Sequence, residues 1–176
     1  FLLKVKSFFQ LLIVSNIWIA LCALFFFLAN CILMDISIHL VIYPALFVFS
    51  STWFIYQLSC YLYYLRNINH DANNLLYIWL HKNKKFTILS LIISSILSLI
   101  LFLFLTPSAK LLMLFLGALS LVYPIPLPFK NKTNGLNYRL RDIPFIKIFL
   151  ISLTWAGTAV ILPALQVGHS FPYHLF

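Results

Sequence analysis

From Phe8 to Met34 the chain carries no charged side chain, and from Ile36 to Leu65 it carries none apart from the titratable His39. A helix crosses the hydrocarbon core of a bilayer with about 20 apolar residues, and both runs exceed that. Three more runs follow: Phe86–Leu105, Leu111–Ile125 and Phe145–Leu165, the last interrupted by Lys147 near its start. These runs are too long for the strands of a membrane barrel and lack its alternation of polar and apolar residues. Helices satisfy their own backbone groups within one segment, so helices are the expected spans. The predicted fold class is all-α, a polytopic bundle of five spans in a single transmembrane domain, with spans at 8–34, 36–65, 86–105, 111–125 and 145–165.

Composition supports lipid as the solvent. The chain is 63% hydrophobic and 9% charged, where a soluble domain is about 25% charged. The first run is also too long for the apolar core of a signal peptide. Because the chain begins at Phe1, not Met, and stops at Phe176 just past an apolar run, both ends read as cut from a longer protein.

Lys and Arg number 12 against three acids, Asp35, Asp71 and Asp142. They are segregated. Lys4 and Lys6 precede the first run; Arg66, Lys82, Lys84 and Lys85 follow the second; Lys130, Lys132, Arg139, Arg141 and Lys147 follow the fourth. The remaining connections hold only Lys110. Basic loops stay on the cytoplasmic side, so the N-terminus and the long loops 66–85 and 126–144 are placed there, with the bare turn at Met34-Asp35 outside. Multi-pass insertion in a bacterial cytoplasmic (inner) membrane is the expected localisation. The same clustering argues against nucleic acid as a partner, since membrane spans separate the basic loops.

Several polar residues fall inside the runs. Asn16 and Gln57 need partners in hydrocarbon, and serve either as interhelical glue or as lining of a polar cavity. Ser50, Phe54, Gln57, Tyr61 and Tyr64 share one helix face. That face is either a packed one or the wall of a pocket in which aromatic rings meet a cation. Ser90, Ser94 and Ser98, with Gly117 and Ser120 and with Gly157 and Thr158, read as close-packing positions. Cys22, Cys31 and Cys60 lie in apolar runs without metal-ligand spacing, and read as small buried apolar residues.

The long loops hold the rest of the chemistry. Asp71 is placed either as cap of a short interfacial helix carrying Tyr77 and Trp79, or with Asn69 and His70 in a metal or phosphate site. In the second loop Asn134-Gly135 marks a turn. Arg139 and Asp142 stand three apart, the spacing of a helical ion pair. Lys130, Arg139 and Arg141 are either topology-setting charges or an anion cradle, for which the Arg fork and the Lys point charge are suited.

The run Leu121-Val122-Tyr123-Pro124-Ile125-Pro126-Leu127-Pro128, with Leu140-Arg141-Asp142-Ile143-Pro144-Phe145-Ile146-Lys147-Ile148-Phe149-Leu150, resembles UbiA-like proteins of the intramembrane prenyltransferase superfamily. Ser15-Asn16-Ile17-Trp18-Ile19-Ala20-Leu21-Cys22 and Ser51-Thr52-Trp53-Phe54-Ile55-Tyr56-Gln57 are similar too. The resemblance implies a transmembrane bundle whose cavity opens toward the cytoplasm beneath a cap of long loops. It implies transfer of a prenyl group from a prenyl diphosphate to an aromatic or lipid acceptor, with Mg²⁺ held by two Asp-rich motifs. Lys130, Arg139 and Arg141 would contact the diphosphate, with Tyr123 and Lys130 matching a Tyr-then-Lys element. Asn16, Gln57 and Tyr61 would line the cavity, and Asp71 is the candidate metal ligand. Where the first Asp-rich motif should begin, this chain has Gln57-Leu58-Ser59-Cys60-Tyr61. The alternative is therefore a catalytically silent relative that binds an isoprenoid or lipid, or acts as a scaffold. A transporter or channel ranks below both, because the run interiors lack ionisable residues.

Overall fold

The structure, a computed structural model, describes residues 15–66, 75–122, 126–130, 137–139 and 144–168. The architecture is helical. Helix α1 is Ile17–Leu33, α2 Ile38–Arg66, α3 Leu75–Lys82, α4 Lys84–Leu103 and α5 Pro107–Val122. A short ribbon follows, β1 Pro126–Lys130 and β2 Asn137–Arg139. The chain then re-enters helix as α6 Pro144–Ala156, a π turn Gly157–Ile161 and α7 Leu162–Val167. Three helical stretches are long and apolar enough to cross a membrane: Ile38–Leu65 with 28 residues, Lys84–Leu103 with 20 and Phe145–Val167 with 23. Ile17–Leu33 and Pro107–Val122 are apolar but shorter.

Several expected boundaries move. The described part of the first span begins as helix only at Ile17, after a turn at Ser15-Asn16. The fourth helix begins at Pro107 rather than Leu111 and ends at Val122, because Thr106-Pro107 is a helix start: Pro at the first helical position sacrifices an N–H that would be unpaired anyway. Loop 66–85 contains α3, and Asn83 alone separates it from α4. Loop 126–144 contains the ribbon.

The chain divides into two compact units, Phe1–Ala29 with Ile42–Phe104, and Asn30–Val41 with Leu105–Phe176. In the first, α2 and α4 run antiparallel. Tyr43 stacks on Phe104 with ring centroids 4.8 Å apart, Phe47 meets Phe102 at 6.0 Å, and Gln57 bonds Ser90. Positions rise on one helix as they fall on the other.

In the second unit, the Met34-Asp35 turn closes α1. Ile36 N–H donates to the Cys31 carbonyl at 2.9 Å and Asp35 N–H to that of Ile32 at 3.1 Å. With Asp35 in the left-handed region at φ 53°, this is a Schellman cap that satisfies two end carbonyls. Helix α5 packs against α6, the π turn and α7. Thr106 uses all its donors and acceptors there. Its Oγ1 accepts from Ala109 N–H and donates to the Leu165 carbonyl at 3.2 Å, and its backbone N–H donates to Gln166 Oε1 at 3.1 Å. Thr106→Val should therefore cost about 1 kcal/mol, the worth of a helix cap, read as a lowered thermal midpoint in detergent. An unchanged midpoint would make the cap dispensable.

The π turn has a local cause. Leu162 N–H reaches back five residues to the Gly157 carbonyl, and Pro163 follows with no N–H to give. Widening by one residue before a proline relieves the clash with the preceding turn. The ribbon is antiparallel, with Pro126 opposite Arg139 and Lys130 opposite Asn137. Four steps along β1 span two along β2, so β1 carries an irregularity. Proline at 126 and 128 is compatible with this because both strands of a two-stranded ribbon are edges. The helical i,i+3 reading of Arg139 with Asp142 is corrected: Arg139 is in a strand, and Asp142 lies outside the described residues.

Burial runs opposite to that of a water-soluble bundle. On α4 the buried residues are Thr87, Ser90, Ser94 and Leu101, while Leu89, Ile92, Ile96, Leu99 and Leu103 are exposed. On α1 the buried stripe is Ala20, Ala23, Phe27 and Cys31, and Phe25, Ile32 and Leu33 face outward. Small and polar side chains at the contacts with apolar ones outside is the arrangement helices adopt in hydrocarbon. The serine spacing on α4 is thus a packing face. Gly157 is also packed, whereas a Cβ at Gly117 would meet nothing within 4 Å, so Gly117 is not a close-approach position. Cys31 is buried, but Cys22 is exposed, contrary to its reading as a buried thiol.

Candidate functional site

The strongest concentration of polar side chains in the described chain is a connected series inside the first unit. It begins at Asn16, whose backbone is left-handed at φ 59°. Asn tolerates that region better than other non-Gly residues. Its carbonyl accepts the first α1 bond, from Ala20 N–H at 3.2 Å. Asn16 therefore stands at the start of α1, not within a continuous span. Its side chain reaches across: Nδ2 donates to Gln57 Oε1 at 3.2 Å and to Cys60 Sγ at 3.3 Å.

Gln57 passes the series on. Its Nε2 donates to Ser90 Oγ at 2.7 Å, and Ser90 Oγ donates to the Thr87 carbonyl at 2.9 Å. Donors thus point one way from Asn16 through Gln57 to α4. Trp53, one turn before Gln57 on α2, donates its indole N–H to the Ser15 carbonyl at 3.0 Å. Asn16 is 7% exposed, Gln57 1% and Ser90 4%. In a low-dielectric interior each of these groups would be costly unpaired, so the series orders three segments of chain in one register.

The α2 face predicted from its spacing is largely a packed one. Ser50, Gln57 and Tyr64 are buried, and Phe54 and Tyr61 are half-buried. Tyr61 and Tyr64 have ring centroids 6.5 Å apart. Tyr64 Oη lies 3.2 Å from His81 Nδ1, which ties the end of α2 to α3. The part played by His81, Ser90, Trp53 and Cys60 escaped sequence reasoning. Each is joined to a partner at least 17 positions away, and nothing in local spacing signals such a bond.

The remaining predicted site residues fall elsewhere in the chain or outside the described residues. Lys130 and Arg139 lie on the paired strands β1 and β2, in the second unit. Asp71 and Arg141 lie outside the described residues, as do Tyr123 and the Asn134-Gly135 turn.

The resemblance implies Mg²⁺ at the position held by Gln57. The residues there do not fit it. An amide is neutral, and Mg²⁺ selects carboxylate and phosphate oxygens. Gln57 Oε1 is taken by Asn16, and its Nε2 is held by Ser90. Among the described residues no three His, Cys, Asp or Glu side chains are grouped as a metal would need. No family model, curated protein or solved structure matches the chain.

Proposed function

We propose that the chain belongs to a multi-pass membrane protein of UbiA-like type that binds an isoprenoid or another lipid without a metal at the first motif position. Five membrane spans with a cytoplasmic N-terminus complete this reading. The observation that carries it is Gln57. The residue that replaces the expected carboxylate is fully buried and bonded at both ends of its amide to Asn16 and Ser90. A metal ligand must turn its oxygen toward a cation; this one is committed to holding helices together. Half-buried Tyr61, one turn on from Gln57, offers a polarisable, weakly polar contact suited to an unsaturated hydrocarbon chain.

Prenyl transfer is the competing reading. It would place Lys130, Arg139 and Arg141 on the diphosphate, use Mg²⁺ bound elsewhere in the protein, and deliver the prenyl group to an aromatic or lipid acceptor. Support for it is the basic character of the segment around the ribbon. One titration separates the two: binding of a labelled prenyl diphosphate and of the matching prenyl alcohol to the full-length protein in nanodiscs, with Mg²⁺ or with EDTA. The metal-free reading expects both ligands to bind with affinities indifferent to EDTA. Diphosphate binding that EDTA abolishes would overturn it and establish a working metal site.

A further inference from the structure

The junction of α3 and α4 gathers positive charge at one level of the molecule. Lys82, Lys84 and Lys85 are all exposed and follow one another with only Asn83 between. Asn83 is fixed: its backbone N–H and its Nδ2 both donate to the Trp79 carbonyl, at 2.9 and 3.0 Å, and its own carbonyl accepts from Thr87 N–H at 3.0 Å. The bend between the two helices is therefore built rather than loose. Leu80, 2% exposed, anchors α3 on the unit, and the Tyr64–His81 bond anchors its end.

Trp79 and Phe86 flank the lysines and meet edge to face with centroids 6.4 Å apart. Trp at the end of an apolar helix marks headgroup depth. Below it, α4 is a 20-residue apolar helix whose only charges are Lys84 and Lys85 at its start. Two lysines there oppose the helix dipole, which favours anions at that end. Helix stability does not account for them. Among the described residues of this unit none is acidic.

We infer that Lys82, Lys84 and Lys85, on the rigid α3–α4 junction, form a docking surface for the headgroup phosphate of an anionic phospholipid. The occupant is set by charge and depth. Three ammonium groups beside an interfacial Trp meet lipid phosphates at the level where headgroups lie, and the exposed apolar face of α4 continues along the acyl chains. Each lysine near an anionic leaflet strengthens the attraction by about fivefold, and the attraction weakens as salt shortens the screening length. This surface does not depend on the isoprenoid reading, because it lies outside the Asn16–Gln57–Ser90 series and needs no prenyl ligand.

The test is native mass spectrometry of the full-length protein in detergent, titrated with phosphatidylglycerol and with phosphatidylcholine of the same acyl chains. Preferential retention of phosphatidylglycerol is expected, falling by about fivefold for each of Lys82→Gln, Lys84→Gln and Lys85→Gln. Lys110→Gln, in the second unit, should leave the preference unchanged. Wild-type melting in each variant would show that the loss is not misfolding. Equal retention of the two lipids, or a preference that survives the triple substitution, would overturn the inference. So would displacement of phosphatidylglycerol by an equal concentration of pyrophosphate, which would assign the lysines to a soluble anion.

Discussion

Gln57→Glu is expected to destabilise the protein by about 3 kcal/mol at neutral pH, the cost of a carboxylate at the centre of a membrane helix. The substitution is nearly isosteric, so the effect is electrostatic rather than steric. The ionised side chain loses the Nε2 donor that reaches Ser90 and brings a charge into a site 1% exposed. Protonated, the same side chain can accept from Asn16 and donate to Ser90 Oγ, which restores the direction of the series. The variant should approach wild type at a pH low enough to protonate the side chain in folded and unfolded chains alike, and fall behind as it ionises. Thermal midpoints of variant and wild type across a pH series in detergent would show the gap opening with pH. A variant as stable as wild type at neutral pH would mean that the site admits water or a cation. Rescue by Mg²⁺ in that case would favour the prenyl-transfer reading.

The second large effect is expected at Gly157. A Cβ there would stand 2.5 Å from Leu116 Cδ1, and Leu116 is 3% exposed. Neighbouring Leu116 can rotate only at the expense of its own packing, so Gly157→Ala should cost about 1–3 kcal/mol, the range for overpacking. Leu116→Ala opens a void and is costly alone, at about 2–5 kcal/mol. Together the two should cost less than their sum by at least about 0.5 kcal/mol, because the new methyl fills part of the space vacated. Gly117→Ala is the contrast. With open space around it, alanine should stabilise α5 by up to about 1 kcal/mol through helix propensity. A full additive cost for the 116–157 pair would show that α5 and the π turn do not meet as described. SDS-unfolding titrations of wild type and the four variants measure all of this at once.

These two sites differ in how visible they were beforehand. Gly117 and Gly157 are alike as sequence: each is a small residue in an apolar run. Only the placement of Leu116 against one and of empty space against the other separates them. Asn16 and Gln57 are different. An amide inside a long apolar run requires a partner wherever the chain goes, so their structural weight was readable in advance. That they would partner each other across 41 positions, with Ser90 completing the series, was not.

What one-dimensional pattern determined here is the solvent and the secondary structure. Uncharged runs of helical length leave a chain no way to satisfy its backbone in hydrocarbon except by helix, and the described helices fall within those runs to within a few residues, α3 and α5 apart. Charge segregation located the basic segments, one of which holds α3. Helix ends were less legible, because they rest on single residues: Thr106-Pro107 starts α5, Asp35 closes α1, and Pro163 forces the π turn. Pairing was decided by the tertiary structure alone. Which face of α2 meets α4, which glycine is crowded, and whether Gln57 looks into a cavity or into its neighbours all depend on contacts between segments far apart in the chain. Such contacts follow from how whole helical surfaces fit together, and no local window contains them.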